Sequence, residues 1–590
     1  MKLSLITLCF SFLILSTLRA ATLPITTDGH SPYHILTPIH PSPEIQTAAA
    51  ELQHFLLQIT GVTLPISPES DHDTSPAFLL GPCHQSIAAG LTTRAASLKE
   101  DGVLIQSLGP NIALLGQNPR GNLYSVYVFL EKYLNVRFLA WDCTIVPHQS
   151  DLSLPPLDYA YASPFMYRET YYFDSFPKQI AARQRLNGPG STCDATTGGK
   201  FEFFPFVHSS SQLIPPDTYF KTHPEYFALN NGKRVGQTVN SQLCFSNPDV
   251  LRLAKQKVFQ WITDHPTATI IDISQNDGIG ACECDNCKAI VTAEGGAQSG
   301  PILRFVNAIA DEVAAKYPDK WVETLAYSYS VQPPTLTKPR PNVIIRLCHV
   351  GDYFRGFEQA PLGSQFALWI DQWRKLTSRI FIWHYASNFG HYLAPNQNLA
   401  GLAKDLKFYA SHGVNGVMVQ ADYQSPGGEL AELRQYLSAQ LLWNPSQDPL
   451  QIRNDFCQGY YGPASPDVLD FLHLEDELSA DPSLHAFGAW DPQTTVPPAF
   501  LTQSLTILNR ALARAPDPTI HNRIEKLLLP FWYMQLTYPA KYNFSPKDAP
   551  ALLQQTQQVL TTNHITHIRE GPESTQQWLT QMNTQFPKPH

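Results

Sequence analysis

The run Thr269-Ile270-Ile271-Asp272-Ile273, ending in Ser274-Gln275-Asn276-Asp277-Gly278-Ile279-Gly280 and leading into Cys282-Glu283-Cys284-Asp285-Asn286-Cys287, constrains this chain more than any other stretch. Thr269, Ile270, Ile271 and Ile273 are β-branched and read as a buried strand. The strand stops in a polar cluster, and Gly278 and Gly280 then turn the chain. A carboxylate after a buried strand and before a glycine turn is where parallel barrels carry their chemistry. The plainer alternative is that Asp277 only bonds its own turn, as Asp often does.

The rest of the chain fits a barrel enzyme with added domains. Its 590 residues suggest several domains and a large core. A formal charge of -9 argues against a nucleic-acid partner, which calls for a basic face. The 49 prolines predict many ordered loops and helix stops. Residues 1–20 read as a signal peptide: Lys2 starts it, Leu3 to Leu15 form the apolar stretch, and Leu18-Arg19-Ala20 offers a cleavage site. No later run is long enough to span a bilayer, so the mature protein is expected to be secreted or periplasmic, without a transmembrane segment.

Residues 24–155 read as a small α/β domain. A helix is expected over Ile45 to Ile59, strands at Ala77 to Leu80, Gly102 to Ile105 and Asn111 to Leu115, and a second helix from Arg120. Leu152 to Pro164 is proline-rich and reads as a linker. Over residues 165–448 strand and helix signals alternate. Strands are expected at Met166 to Tyr172, Phe204 to Val207, Ser241 to Phe245, Thr269 to Ile273, Val322 to Tyr327, Val343 to Leu347, Ile380 to His384 and Val414 to Val419. Eight strands with helical crossovers predict a (β/α)8 TIM-like barrel. Residues 449–590 lack strand signals and read as helical, with a Leu501, Leu505, Leu508, Leu512 stripe and punctuation at Pro466, Pro518 and Pro530.

The expected barrel strands end in polar and aromatic clusters: Arg168 to Tyr172, Tyr327-Ser328-Tyr329, His349 to Asp352, Trp383-His384-Tyr385 and Gln420 to Tyr423. Rings cover the apolar C–H face of a sugar and polar groups read its hydroxyls. Any one aromatic is more often ordinary core, but their recurrence at one barrel end favours a sugar site with Tyr327, Trp383 and Tyr423 in its wall. His208 and His384 are candidates for sugar hydroxyls, against the commoner role of a satisfied, partly buried histidine. Arg168 and Arg185 suit bidentate contact with hydroxyls or a uronate carboxylate, or an internal ion pair with Glu169 or Asp174.

Several motifs are specific. Asp101-Gly102-Val103-Leu104-Ile105, Pro119-Arg120-Gly121-Asn122-Leu123-Tyr124 and Phe129-Leu130-Glu131 resemble the small domain before the barrel of bacterial β-hexosaminidases and α-glucuronidases. Arg185-Leu186-Asn187-Gly188, His223-Pro224-Glu225-Tyr226-Phe227, Gln242 to Pro248, Ser274 to Gly278, the three-cysteine loop and Leu441-Leu442-Trp443-Asn444-Pro445 resemble a family of bacterial glycoside hydrolases long catalogued as a domain of unknown function. Some of its members are endo-β-N-acetylglucosaminidases of glycoside hydrolase family 163. The resemblance implies a retaining reaction in which the substrate acetamido group is the nucleophile. Asn187 and Asn276, amides within the matching pieces, are assigned to substrate.

Related hexosaminidases place two adjacent acids after the fourth strand; here Asn276-Asp277 supplies one. The second carboxylate must come from elsewhere, and Glu429, after Gly427-Gly428, leads over Asp352, Asp422 and Glu323. Its plainer alternative is a first-turn carboxylate on the helix carrying Leu430, Leu433, Leu437 and Leu441. The expected activity is hydrolysis of β-linked N-acetylhexosamine glycans, with Asp277 and Glu429 catalytic and a glycan or oligosaccharide as partner. An α-glucuronidase-like hydrolase and a non-catalytic carbohydrate-binding protein are the rivals. No cofactor and no catalytic metal are expected. Cys282, Cys284 and Cys287 favour a loop stabilised by a disulfide, or by zinc with Cys244 as fourth ligand, over a catalytic metal.

Overall fold

The computed structural model describes residues 22–70, 75–236, 241–348, 354–356, 361–486 and 489–587. The expected signal peptide, and His349 to Asp352, lie outside the described residues.

The N-terminal part is a six-stranded mixed sheet between two helical layers. Ile66–Pro68, His34–Thr37, Ala77–Leu80 and Asn111–Gly116 run parallel, and Val103–Leu108 returns antiparallel beside the last of them. Helix Pro43–Thr60 starts with proline in its first turn and ends at Gly61, whose φ of 77° places it in the left-handed region. Its Ile45, Ala48, Leu52, Phe55 and Ile59 meet helix Pro119–Leu134 in one core. The expected linker does not run free. Leu152–Leu154 pairs with Leu23–Thr26, and Asp158–Tyr161 forms the edge strand beside Val103–Leu108. Alternating apolar residues in those short runs let them pair despite the flanking prolines.

Beyond it lies a curled, seven-stranded parallel sheet. In chain order its strands are Tyr167–Tyr171, Phe203–Phe204, Ile270–Asp272, Trp321–Ala326, Val343–Cys348, Ile380–Tyr385 and Gly416–Gln420. The first strand pairs with the last, and each of the others with its neighbour in sequence; the first two are the sheet's edges. Curling brings those edges together: the Tyr167 and Phe203 rings are 5.5 Å apart and those of Tyr171 and Phe206 5.8 Å. The intervening segment bridges the seam. Asn187 N–H donates to Arg168 O, and Phe201 N–H to Asn187 O.

The expected strand at Ser241 to Phe245 is absent from the sheet. Leu243 makes one isolated bridge to Phe227, and Gln242 turns its side chain onto the Asn276 loop instead. Among the described residues the sheet therefore has seven strands, in a TIM-barrel-like half-barrel.

The fully buried helix Ala431–Trp443 ties the parts together. Tyr161 Oη and Ser163 Oγ donate to the carbonyls of Trp443 and Leu442. The C-terminal region is helical, from Pro449–Tyr461 to Thr575–Gln585, and shares one apolar core with the barrel. Pro466 and Pro518 sit in first helical turns, whereas Pro530 lies inside the continuous helix Pro518–Thr537 and punctuates nothing. Burial among the other C-terminal helices offsets the backbone bond that Pro530 cannot make.

Candidate active site

The C-terminal ends of the barrel strands open into a cavity of about 360 Å³. Tyr171, Phe206, Tyr327, Trp383, Tyr385, Phe389 and Tyr423 form its aromatic wall, and His208, Gln420, Asp277 and Glu570 are its polar groups. Five sequence-assigned residues therefore meet in one place: Asp277, His208, Tyr327, Trp383 and Tyr423.

Asp277 is exposed to the cavity, and Tyr327 Oη donates to its Oδ1 at 3.0 Å. The turn that presents it is fastened on both sides. Gln242 Nε2 donates to the carbonyls of Asn276 and Gly278, and Gln242 Oε1 accepts the Asn276 N–H. Asn276 itself turns away from the cavity: its Nδ2 donates to Ser241 O at 2.6 Å, and its Oδ1 accepts from Ser211 N–H. It holds the loop rather than a ligand.

Glu570, which the sequence reading missed, faces the same space from the segment between helices Ala549–Thr562 and Thr575–Gln585. That segment is bolted to the barrel mouth. Glu570 N–H donates to Phe389 O, Gly571 N–H to Gln424 Oε1, Gln424 Nε2 to Gly571 O, and Tyr392 N–H to Ile568 O. Trp383 Nε1–H donates to Gln420 Oε1 at 2.7 Å, which fixes the amide so that Gln420 Nε2 donates to Glu570 Oε1 at 3.2 Å. Partial desolvation at the cavity rim raises the Glu570 carboxyl; hydrogen bonds with Tyr423 and Gln420 oppose the rise, and the nearby Asp277 charge adds to it. Both acids are exposed to the cavity, and the Glu570 carboxyl is the one shifted upward.

His208 has a φ of 54°, and its Nδ1 lies 2.8 Å from Gln275 O. A carbonyl only accepts, so Nδ1 carries the proton and Nε2 is left as an acceptor when the ring is neutral.

The other assigned residues lie elsewhere. His384 is buried on the opposite face of its strand from Trp383 and Tyr385, because side chains alternate. Its Nδ1 meets Tyr409 Oη at 3.0 Å, and burial lowers it to about 3, so it stays neutral. Glu429 is buried and pairs with Arg434, 2.5 Å away, with Glu475 close by. It stands two residues before helix Ala431–Trp443, ahead of Leu430 and so outside the first turn that the plainer alternative gave it, and it is not among the residues that line the cavity. Of the other second-carboxylate candidates, Glu323 pairs with Arg346 inside the barrel, and Asp422 is buried, accepting the Gly428 N–H. Burial pushes both up to about 8.

Arg168, Arg185 and Asn187 belong to the junction beneath the small domain. Arg168 Nη2 lies 2.6 Å from Asp101 Oδ2, and Asn187 Nδ2 donates to the same oxygen at 2.7 Å. Arg185 pairs with Glu131. None of the three lines the cavity. Of the two alternatives read for the arginines, the internal ion pair is the observed one, with Asp101 and Glu131 as partners.

Residues 138–473, more than half of the chain, match the family model described as "Domain of unknown function (DUF4838)". Residues 26–129 match "Glycosyl hydrolase family 67 N-terminus". Among curated proteins, "Alpha-glucuronidase A" of Emericella nidulans is 33% identical over 90 residues, 15% of this chain and 11% of that protein. The shared stretch is thus a small part of the relative. Among solved structures, "A novel family GH115 4-O-Methyl-alpha-glucuronidase, BtGH115A, with specificity for decorated arabinogalactans" has a TM-score of 0.54 at 11% identity, covering 91% of this chain and 77% of that one. This likeness shows a shared fold. "Structure of CpGH84D" reaches a TM-score of 0.49 at 10% identity, covering 96% of both chains, which is too low to carry an argument. By the extent of the first match, the chain belongs to the DUF4838 family.

Proposed function

We propose that this protein is an exported glycoside hydrolase that cleaves β-linked N-acetylhexosamine-containing glycans, with Asp277 and Glu570 as its two carboxylates. The observation that carries the reading is the pair itself: two acids from distant segments in one aromatic-walled cavity at the barrel mouth. Glycosidic cleavage needs an acid for the leaving oxygen and a second group for the positive charge that develops at the sugar. The raised carboxyl of Glu570 suits it to the first task. Asp277, oriented by Tyr327, takes the second by accepting the acetamido N–H. The acetamido oxygen attacks the anomeric carbon as Glu570 protonates the departing oxygen. Glu570, now a carboxylate, takes a proton from the water that opens the cyclic intermediate.

Export is inferred from the N-terminal segment. Among the described residues no helix is long and apolar enough to cross a membrane, which is compatible with that inference.

A glucuronide substrate is the second reading, favoured by the family 67 N-terminal match and by the glucuronidases among the similar proteins. Against it, the described lining residues include no Lys or Arg to clamp a uronate, and they include two acids. Arg168 and Arg185, which a uronate clamp would call on, are occupied at the domain junction.

The test is product analysis on a panel of glycans and chromogenic glycosides. Release from β-N-acetylglucosaminides or N-glycans, with glucuronosyl oligosaccharides untouched, is expected. Release of glucuronic acid alone would overturn the substrate class. Tight glycan binding without product after long incubation would overturn the hydrolase assignment.

A further inference from the structure

We propose that Cys244, Cys282, Cys284 and Cys287 form a structural tetrathiolate zinc site that holds the Asp277 loop in place. Their sulfur atoms all lie within 4.8 Å of one another. Cys244 Sγ is 3.6 Å from Cys284 Sγ and 4.0 Å from Cys287 Sγ. A tetrahedral zinc with Zn–S near ~2.3 Å sets its sulfurs roughly 3.8 Å apart, within this spread. All four cysteines are free, and one thiol within reach of three others is the pattern of a shared ion rather than of separate pairs.

The surroundings fit thiolate ligands. Cys244, Cys282 and Cys287 are buried and Cys284 is half-buried. Leu229 N–H donates to Cys282 Sγ at 3.3 Å, and Arg234 Nη1 lies 3.8 Å from the same sulfur. Donors of this kind offset the charge that four thiolates bring to one ion. The Ser246 hydroxyl is 3.1 Å from Cys287 Sγ. A full set of four soft ligands selects zinc over magnesium or calcium and leaves no open position for water, so the site is structural and not catalytic.

Its placement gives it a task. Cys282 and Cys284 flank Glu283, whose N–H donates to Leu229 O, and Cys287 sits in the first turn of helix Asp285–Ala293. Cys244 follows Gln242 by two residues, and Gln242 grips the carbonyls on both sides of Asp277. An ion bound by these cysteines therefore fastens the Asp277 turn downstream through Cys282 and laterally through Cys244 and Gln242.

Metal analysis of the full-length protein, purified without chelator, is expected to give one zinc per chain. Cobalt exchanged into the protein should give the intense visible bands of tetrahedral thiolate coordination. Cys244→Ser combined with Cys287→Ser should abolish both signals. If that variant fails to fold, the wild-type protein supplies the test: a mercurial that titrates the thiols should release zinc to a colorimetric dye and lower Tm. Two disulfides among these cysteines by non-reducing peptide mass analysis, or four free thiols that take up neither zinc nor cobalt, would overturn the site. These readouts are independent of whether the cavity hydrolyses glycans. Where a responsive substrate is known, metal release should also lower kcat.

Discussion

Glu570→Gln is expected to lower kcat on a natural glycan by about 10²–10⁴-fold, the usual contribution of a positioned general acid. The amide keeps the shape and the neutral state of the protonated carboxyl but has no proton to give. The loss should depend on the leaving group: an aryl glycoside whose phenolate departs unaided needs little protonation and should retain far more turnover. The pH profile adds a second readout. A group that must be protonated to act is competent below its pKa, so wild-type activity should fall as pH rises through the raised value of Glu570. That limb should vanish in Glu570→Gln. Asp277→Asn should behave differently, losing turnover on activated and natural substrates alike, because charge stabilisation is needed whatever departs. Equal losses on both substrate types for Glu570→Gln would remove it as the acid. Full retained turnover of Asp277→Asn would remove Asp277 from the mechanism. Unchanged Tm in both variants would show that the fold is not the cause.

The place of Asp277 in the cavity was legible because a polar cluster followed a β-branched run and preceded a glycine turn. Trp383 and His384 show where such reading stops. Adjacent residues on a strand face opposite sides, but the pattern Ile380-Phe381-Ile382-Trp383-His384-Tyr385 is apolar or aromatic on both faces and does not say which side is the cavity. The arginines show a different limit. Arg168 follows Tyr167 at the start of its strand, whereas Tyr171 at the strand's end reaches the cavity. A barrel works at the C-terminal ends of its strands, so position along the strand, not membership of it, separates the two.

Glu570 was hidden for a physical reason. Its segment, His567-Ile568-Arg569-Glu570-Gly571-Pro572, carries no periodicity, and its local signal is only a turn. What places it is a set of long-range bonds to Phe389, Gln420 and Gln424, none of which a local pattern encodes. Gly571, at a φ of 112°, makes the bend after it possible. The missing third strand has a related cause. The Gln242 to Phe245 run looks like a strand, yet the Gln242 side chain serves the neighbouring Asp277 loop, and among the described residues pairing is limited to one bridge.

Asp101→Ala is expected to destabilise the folded chain by about 3–5 kcal/mol, the range for stripping one partner from a buried ionic cluster. Asp101 is wholly buried and accepts from Arg120 Nε at 2.8 Å, Arg168 Nη2 at 2.6 Å, Asn118 Nδ2 at 2.8 Å and Asn187 Nδ2 at 2.7 Å. Alanine would leave two buried guanidinium groups facing each other's charge without their shared counter-ion, although Glu100 still holds Arg120. Burial alone would raise this carboxyl, but Arg120 and Arg168 outweigh it and hold it at about 2. The sign follows from that depression. The carboxylate contributes fully above its unfolded pKa of roughly 3.9, and the contribution fades as pH falls from there toward about 2. Denaturant unfolding should therefore show the wild-type advantage over Asp101→Ala shrinking across that window. Pairing Asp101→Ala with Arg168→Ala should recover part of the loss, since the second change removes a stranded charge. A change under about 1 kcal/mol would contradict the reading of this junction as a tightly coupled cluster. A rise in KM for Arg168→Ala at unchanged stability would instead place that arginine at the substrate, where a uronate clamp needs it.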